Sequence, residues 1–138
     1  MAVDERTTLF ETLQKMRLLL VEDDALLRDS LRLFFESEGC RLETLETAEE
    51  AVKAVRRREY DIVITDYRLP GMDGLQFLRE LQAFRPGTMR VLLTAYMDED
   101  VLADAFRVGV HEFIEKPFSS VDIEEALARL IAKRATVM

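Results

Sequence analysis

Short runs of hydrophobic residues alternate along the chain with segments in which hydrophobic residues recur every three or four positions. The runs are too short for helices, and four of them are typical of strands buried on both faces of a parallel sheet. The five runs are residues 18–21, 41–45, 62–64, 91–93 and 113–114. The second run mixes polar with apolar residues, which predicts a strand nearer an edge of the sheet.

A segment with helical periodicity follows each of the five runs. The apolar positions of these segments are Leu27, Leu31, Phe34 and Phe35; Ala51, Val52 and Val55; Phe77, Leu81 and Phe84; Val101, Ala105 and Val108; and Ile123, Leu127, Leu130 and Ile131. Gly39, Pro86 and Gly109 end three of them, while Thr47 followed by Glu50 indicates a capping box. Strands alternating with such helices form right-handed βαβ units. We therefore expect an α/β domain with a (βα)5 doubly wound, five-stranded parallel sheet.

The first residues lie outside this repeat. Leu9, Leu13 and Met16 share a helical spacing with Phe10 beside them, which predicts a short amphipathic helix. Such a helix could pack on the domain, pair with another copy or fray. The predicted division is an N-terminal extension over residues 1–15, a domain over 16–134 and a C-terminal tail over 135–138.

Composition excludes several classes of protein. The 138 residues suit one domain, and the net charge of −8 argues against direct nucleic-acid binding, which needs clustered basic side chains. The one basic run, residues 56–58, falls at the end of a predicted helix, where cations suit the helix dipole. No apolar run is long enough for a membrane span or a secretion signal, so we expect a cytoplasmic protein without membrane contact. Cys40 is the only cysteine, which excludes an internal disulfide.

Chemically active residues follow the predicted strands, at the edge of the sheet where ligands of such domains bind. Glu22 and Asp23 follow the first strand, Asp66 the third, Thr94 the fourth and Lys116 the fifth. Clustered carboxylates recruit a cation or raise their pKa values, and oxygen ligands without His or Cys suit Mg²⁺. An ionised carboxylate can also attack phosphorus and form an acyl phosphate, with a lysine and a hydroxyl to stabilise the oxygens of the transferred group.

Each of these residues also has an ordinary structural interpretation. Asp24 is better explained as a helix N-cap than as a ligand, acids commonly precede helices, and a lone lysine is usually a solvated surface group. Phe113 by itself is a plain core aromatic. Only the combination, in this order on successive strands, favours a reactive site.

Four segments resemble the receiver (CheY-like) domain of two-component response regulators. They are "LLLVEDD" (18–24), "DIVITDYRLPGMDG" (61–74), "VLLTAY" (91–96) and "FIEKPF" (113–118), and the resemblance covers roughly residues 16–133. It implies a flavodoxin- or CheY-like fold and a phosphoryl switch in a phosphorelay, not a conventional enzyme. The expected partners are a sensor histidine kinase or phosphotransfer protein, and an output domain or downstream protein.

The resemblance also implies residue roles. Asp66 would accept the phosphoryl group, with Lys116 and Thr94 contacting its oxygens. Mg²⁺ (or Mn²⁺) would be held by Glu22, Asp23, Asp66 and the backbone carbonyl of Arg68. These assignments make Asp66 the centre of the predicted site.

The same resemblance assigns a conformational switch and two modulating positions. Thr94 would move toward the phosphoryl group while Phe113 turns inward, and Arg68 and Tyr96 would influence the lifetime of the phosphorylated form. Phe113 stands where tyrosine is often found, so a tyrosyl hydroxyl is absent there. The change would be read on the face formed by the fourth helix, the fifth strand and the fifth helix of the repeat, which could also form a homodimer.

Alternative functions are weighed by single residues. A dehalogenase-type phosphohydrolase would need a second aspartate where Arg68 stands, and a flavodoxin-like nucleotide binder would need a glycine-rich or hydroxyl-rich phosphate loop after the first strand. A receiver-like interaction module that is never phosphorylated would be signalled by loss of Asp66, the acid pair or Lys116, and all are present. The sequence leaves open whether the domain stands alone or belongs to a longer regulator.

Overall fold

The computed structural model describes residues 1–95 and 97–137, apart from the side chains of residues 135–137. The strands are β1 (Leu18–Val21), β2 (Leu42–Leu45), β3 (Ile62–Asp66), β4 (Met89–Thr94) and β5 (Glu112–Glu115). The helices are α1 (Val3–Leu13), α2 (Ala25–Ser37), α3 (Ala48–Arg57), α4 (Gly74–Phe84), α5 (Glu99–Arg107) and α6 (Ser120–Val137). Because α1 is formed by the N-terminal extension, the five helices of the predicted repeat are α2 to α6.

The five strands form one parallel sheet in the order β2-β1-β3-β4-β5. This arrangement confirms the predicted doubly wound α/β fold. β1, β3 and β4 are buried along their whole length, as their unbroken apolar runs predict. β2 lies at an edge and only Leu42 in it is buried, which is why its sequence is mixed.

Alternate residues of each strand serve the two faces of the sheet. Leu18 and Leu20 pack with residues of α1, α2 and α6, whereas Leu19 and Val21 pack with residues of α3, α4 and α5. The helices therefore cover both faces of the sheet. None of the described helices is both long and apolar enough to cross a membrane.

Polar side chains cap the starts of α2, α3 and α6; the cap at Asp24 was predicted, and the capping box predicted at α3 differs. Asp24 accepts a hydrogen bond from the Leu27 N–H (3.1 Å) at the start of α2, and Ser119 accepts one from Asp122 N–H (3.3 Å) at the start of α6. At α3 the Thr47 hydroxyl accepts from Glu50 N–H (3.1 Å) but donates its own proton to the Glu50 carboxylate (3.0 Å). Only half of the predicted capping box is therefore formed there.

Phe84 lies outside the core in which its helical spacing had placed it. Its side chain is 51% exposed at the end of α4, and the Arg56 guanidinium lies 4.7 Å from the centre of its ring. A cation above an aromatic face is a favourable contact for a ring that remains in water. The helical period is thus correct for Phe77 and Leu81, and wrong for the last turn.

The N-terminal extension folds as a helix that packs on α2 and α6. Leu9, Phe10 and Leu13 are buried in the same cluster as residues of those two helices. The Phe10 ring meets Phe34 edge to face at 6.0 Å, and Arg6 pairs with Glu38 and with Glu124 (2.8 Å). Of the three fates left open for this segment, the structure shows packing on the domain. The division at residues 15 and 134 stays a prediction, although α6 continues as far as Val137.

Candidate functional site

Four strand ends bring the predicted site residues together at the carboxyl edge of the sheet. Val21 pairs with Thr65, so the next residues, Glu22 and Asp66, lie side by side where β1 and β3 end. Thr94 is the last residue of β4 and pairs with Glu115, the residue before Lys116. The parallel register, rather than nearness in the chain, therefore assembles the site.

Lys116 joins the two buried carboxylates. Its Nζ lies 3.0 Å from Asp66 Oδ2 and 3.1 Å from Glu22 Oε2. Glu22 is 0% exposed and Asp66 is 6% exposed, whereas the Lys116 side chain keeps 24% of its surface accessible. The peptide bond between Lys116 and Pro117 is cis, and the Lys116 N–H donates to the Thr94 carbonyl (2.9 Å). A single ammonium thus partly neutralises two acids and leaves excess negative charge.

Burial and the neighbouring charges both shift the pKa values of this cluster. The pKa of the Glu22 carboxyl is raised to about 7, first by burial and second by the Asp66 carboxylate. Burial also raises the pKa of Asp66, against the lowering effect of the Lys116 ammonium. Burial acts to lower the pKa of Lys116, but the two acids outweigh it and raise that pKa. Both carboxylates would be stabilised by an added cation.

We expect Glu22→Gln to stabilise the cation-free protein at pH 7.5 by about 2–3 kcal/mol, since each pKa unit corresponds to about 1.4 kcal/mol. The pKa of Glu22 is higher in the folded protein than the ordinary value of 4.5, so the folded state holds this proton more tightly. The stabilising contribution of the Glu22 carboxyl to the free energy of unfolding is therefore fully present below about pH 4.5, and it is lost as the pH rises toward 7. Urea unfolding between pH 4 and 8, without divalent cations, measures the effect.

The matched control is Glu46→Gln, which removes the same charge from an exposed side chain. It should leave the pH dependence of the unfolding free energy unchanged. A Glu22→Gln protein whose stability follows pH as the wild type does would show that Glu22 is not the group that titrates.

The oxygens present fit a hard divalent cation. Glu22, Asp23 and Asp66 each offer one carboxylate oxygen, and these three oxygens lie within 4.8 Å of one another. Asp23 is exposed, so the group opens to solvent on one side. An all-oxygen donor set with room for water suits Mg²⁺ or Mn²⁺ better than metals that prefer nitrogen or sulfur.

The loop after β3 folds back tightly on the strand end. The Gly74 N–H donates to the Tyr67 carbonyl (2.8 Å), and a Cβ atom at Gly74 would lie 2.1 Å from the Asp66 carbonyl oxygen. Any other residue at position 74 would therefore force the loop away from Asp66. This contact explains why a glycine ends the segment "PGMDG" and begins α4. Arg68 lies within this loop.

The remaining predicted residues have different surroundings. Thr94 is buried, whereas Phe113 is half-buried and packs against the cluster shared by α3, α4 and α5. The Arg68 guanidinium lies 5.7 Å from the centre of the Tyr67 ring. Tyr96 lies outside the described residues.

Sequence analysis missed Arg28, which supports the acid pair from α2. Its Nη1 donates to the Glu22 carbonyl (2.9 Å) and, at longer range, to the Asp23 carbonyl (3.4 Å). The contacts fix the backbone that presents both acids. An arginine on a helix is usually a surface residue, so its position in the sequence carries no signal of this role.

A groove lies at the opposite end of the sheet. It encloses about 1120 Å³ near the starts of the strands and is lined by Tyr60, Asp61 and several arginines. Three of these arginines, Arg58, Arg85 and Arg134, pair with acids. None of the residues that line the groove belongs to the carboxylate cluster.

Comparison with known proteins agrees with this geometry. The model of the response regulator receiver domain family matches residues 18–128. The chain belongs to this family. The receiver domain is 31% identical over 122 residues to the C4-dicarboxylate transport transcriptional regulatory protein DctD of Pseudomonas aeruginosa, and the match covers 88% of the chain but only 26% of DctD. The chain thus spans about a quarter of that regulator's length.

Solved receiver domains share its fold. A CheY-like receiver domain protein from Methanospirillum hungatei is 25% identical with a TM-score of 0.84, covering 89% of this chain and 98% of that one. The receiver domain of the sensor histidine kinase PA1611 from Pseudomonas aeruginosa is 28% identical with a TM-score of 0.76, covering 85% and 98%. That neighbour has a magnesium ion coordinated in its active-site cleft.

Proposed function

We propose that this receiver domain accepts a phosphoryl group on Asp66 in a phosphorelay. The observation that carries the proposal is the Asp66 carboxylate itself, which ends β3 beside Lys116 and within a cluster of two further acids. A carboxylate with only a structural role would not be expected beside two other acids, because their like charges repel one another. The arrangement is suited to stabilising a phosphoryl group as it arrives.

The transfer step uses one Asp66 oxygen as the nucleophile. That oxygen attacks phosphorus, the bond from phosphorus to the donor's imidazole nitrogen or acetate oxygen breaks, and the donor leaves with the electron pair of that bond. Asp66 must be ionised for the attack, and Lys116 favours the ionised form. The Lys116 ammonium, 3.0 Å from Asp66, is placed to contact the oxygens of the transferred group.

Glu22, Asp23, Asp66 and the backbone carbonyl of Arg68 are the proposed ligands of Mg²⁺ or Mn²⁺. The carboxylate oxygens lie close enough to share one ion, and the PA1611 receiver is a relative with magnesium in its cleft. A bound divalent cation would supply positive charge to the oxygens of the transferring group. Arg68 is also proposed to influence how long the phosphoryl group lasts, because its side chain is exposed next to the site.

Phosphorylation is proposed to act through Thr94 and Phe113. It replaces a single carboxylate charge with a larger anion whose oxygens accept strong hydrogen bonds. The Thr94 hydroxyl, at the end of β4, would turn toward this anion, and half-buried Phe113 would move inward into the space that is vacated. Both residues lie on the strands that α5 connects, so the change would reach the surface made by α5, β5 and α6.

That surface is the proposed contact for an output domain, a downstream protein or a second copy. Leu102 and Phe106 are exposed on α5, one turn apart, and Phe106 is 84% exposed. Large apolar side chains in water are characteristic of surfaces that meet a partner. The phosphoryl donor is proposed to be a sensor histidine kinase or a phosphotransfer protein.

Mass spectrometry of the intact protein tests the proposal. Incubation with acetyl phosphate and Mg²⁺ should add one phosphoryl group, and the same incubation with a chelator should add none. Beryllofluoride, which mimics a bound phosphoryl group, should bind in parallel samples and thereby detect a site whose phosphate is rapidly lost. If the protein takes up neither a phosphoryl group nor beryllofluoride, the favoured function becomes that of a receiver-like interaction module that is never phosphorylated.

A further inference from the structure

The loop between β3 and α4 is held at two separate points. The first is the contact of Gly74 with the end of β3, described above. The second comes from α3: Glu49 Oε2 accepts a hydrogen bond from the Met72 N–H at 3.1 Å. Arg68, whose carbonyl is a proposed cation ligand, lies between the strand end and this second point.

Glu49 reaches the loop from a rigid support. It lies in the first turn of α3, where Thr47 caps the helix and Ala48 and Ala51 are buried in the core. Gly71, the loop residue before Met72, lies close to this carboxylate. Gly71 has φ +77°, and a Cβ atom there would lie 2.5 Å from Glu49 Oε2. The sequence alone had assigned the segment around Glu49 only to the start of a helix.

We propose that Glu49 is a positioning residue for the phosphorylation site. By holding Met72 it fixes the loop, and through the loop it fixes the Arg68 carbonyl toward the acids Glu22, Asp23 and Asp66. Glu49 does not touch the reacting atoms. The inference rests on the proposed function, because it assigns Glu49 a part in cation binding at the same site.

Amide hydrogen exchange of the cation-free protein tests the contact itself. In Glu49→Ala the Met72 amide should exchange roughly three- to tenfold faster than in the wild type, the effect of losing one hydrogen bond of ordinary strength. In Glu49→Gln the amide oxygen can still accept this bond, so most of the protection should return. The matched control is Glu50→Ala, whose side chain contacts Thr47 instead of the loop. Unchanged exchange in Glu49→Ala would overturn the proposal.

Titration calorimetry with Mg²⁺ tests the consequence, and it suits a chain that contains no tryptophan. Glu49→Ala should bind Mg²⁺ about tenfold more weakly, at the lower end of what loss of a supporting contact costs a metal site. Glu49→Gln should bind nearly as the wild type does, and Glu50→Ala should be unchanged. Equal Mg²⁺ affinity in Glu49→Ala and wild type would overturn the proposal even if Met72 exchange were faster.

A loop-side variant gives an independent check. Gly71→Ala should displace the Glu49 carboxylate and weaken Mg²⁺ binding, and at φ +77° it also strains the backbone; Gly39→Ala, at φ +76°, is the control for that strain. Because the contact between Glu49 and Met72 can be lost only once, the double variant should lose less affinity than the sum of the two single losses. Additive losses would overturn the proposal, since they would mean that the two residues act separately.

The two proposals fail in different ways. If the wild type neither binds Mg²⁺ nor takes up a phosphoryl group, the proposed function fails, and the role of Glu49 in cation binding fails with it. If the wild type does both and Glu49→Ala matches it in Mg²⁺ affinity, only the role of Glu49 fails. Thermal unfolding followed by circular dichroism checks that each variant is folded; for the Glu49 variants a folded protein is expected because Glu49 is exposed.

Discussion

Replacement of Asp66 by asparagine is expected to abolish phosphorylation by acetyl phosphate. The carboxamide has nearly the shape of the carboxylate but is neutral, so its oxygen is a poor nucleophile toward phosphorus. The substitution also removes one charge from the proposed cation site and the ion pair with Lys116, so Mg²⁺ binding of the variant is measured alongside. Intact-mass spectrometry in the presence of Mg²⁺ should show no added phosphoryl group.

Asp61→Asn is the matched control for this result. Asp61 lies next to the other end of β3, where its carboxylate accepts from the Arg17 N–H (2.8 Å) and pairs with Arg134. The same chemical change at the far end of the same strand should leave phosphorylation at the wild-type level. A phosphoryl group on the Asp66→Asn protein would contradict the assignment, and peptide mapping would then locate the true acceptor.

Asp66→Asn is not expected to unfold the domain. The Asp66 carboxylate is destabilised by burial and by the charge of Asp23, as its raised pKa shows. Removing one of several clustered negative charges relieves this repulsion, so Asp66→Asn should be at least as stable as the wild type at neutral pH. Loss of phosphorylation in a variant of undiminished stability that still binds Mg²⁺ can be assigned to the missing nucleophile.

Replacement of Phe10 by alanine is expected to lower the free energy of unfolding by about 3–5 kcal/mol, the usual cost of removing a buried phenylalanine. Phe10 is 3% exposed, its ring packs edge to face on Phe34, and the Arg6 guanidinium lies 4.9 Å from its centre. Typical domains are stable by only about 5–15 kcal/mol, so this loss is a large part of the total. Urea unfolding followed by circular dichroism measures it.

Phe106→Ala provides the comparison for Phe10→Ala. The residue type and the number of deleted atoms are identical, but Phe106 is 84% exposed. Its loss should change the unfolding free energy by no more than about 0.5 kcal/mol, as is usual at exposed positions. A loss below about 1 kcal/mol for Phe10→Ala would be smaller than that usual cost, and would mean that α1 adds little to the core.

Phe10 and Phe84 show where the hydrophobic pattern of the sequence is informative and where it is not. The spacing of Leu9, Phe10 and Leu13 predicts a helix with an apolar face, and α1 has one. The pattern could not identify the surface beneath it, because α2 and α6, which supply that surface, are far away in the chain. For the same reason Phe84 fits the period of α4 and still lies in solvent.

The arrangement of the sheet was predictable for a physical reason. Buried parallel strands must be apolar on both faces, and the crossover between them needs a helix, so both leave strong local patterns. The strand ends were predictable as well, since the apolar runs stop where the charged residues begin. The sequence could therefore place Glu22, Asp66, Thr94 and Lys116 at one edge.

By itself, the sequence determined the fold class and which residues meet at the carboxyl edge of the sheet, because burial and strand direction are written in the local order of apolar and charged residues. Only the tertiary structure decided how α1 is covered, that Lys116 joins Asp66 and Glu22, and that Glu49 holds the loop at Met72. These contacts join segments distant in the chain. Their partners depend on how the elements pack in three dimensions, and periodicity carries no record of that packing.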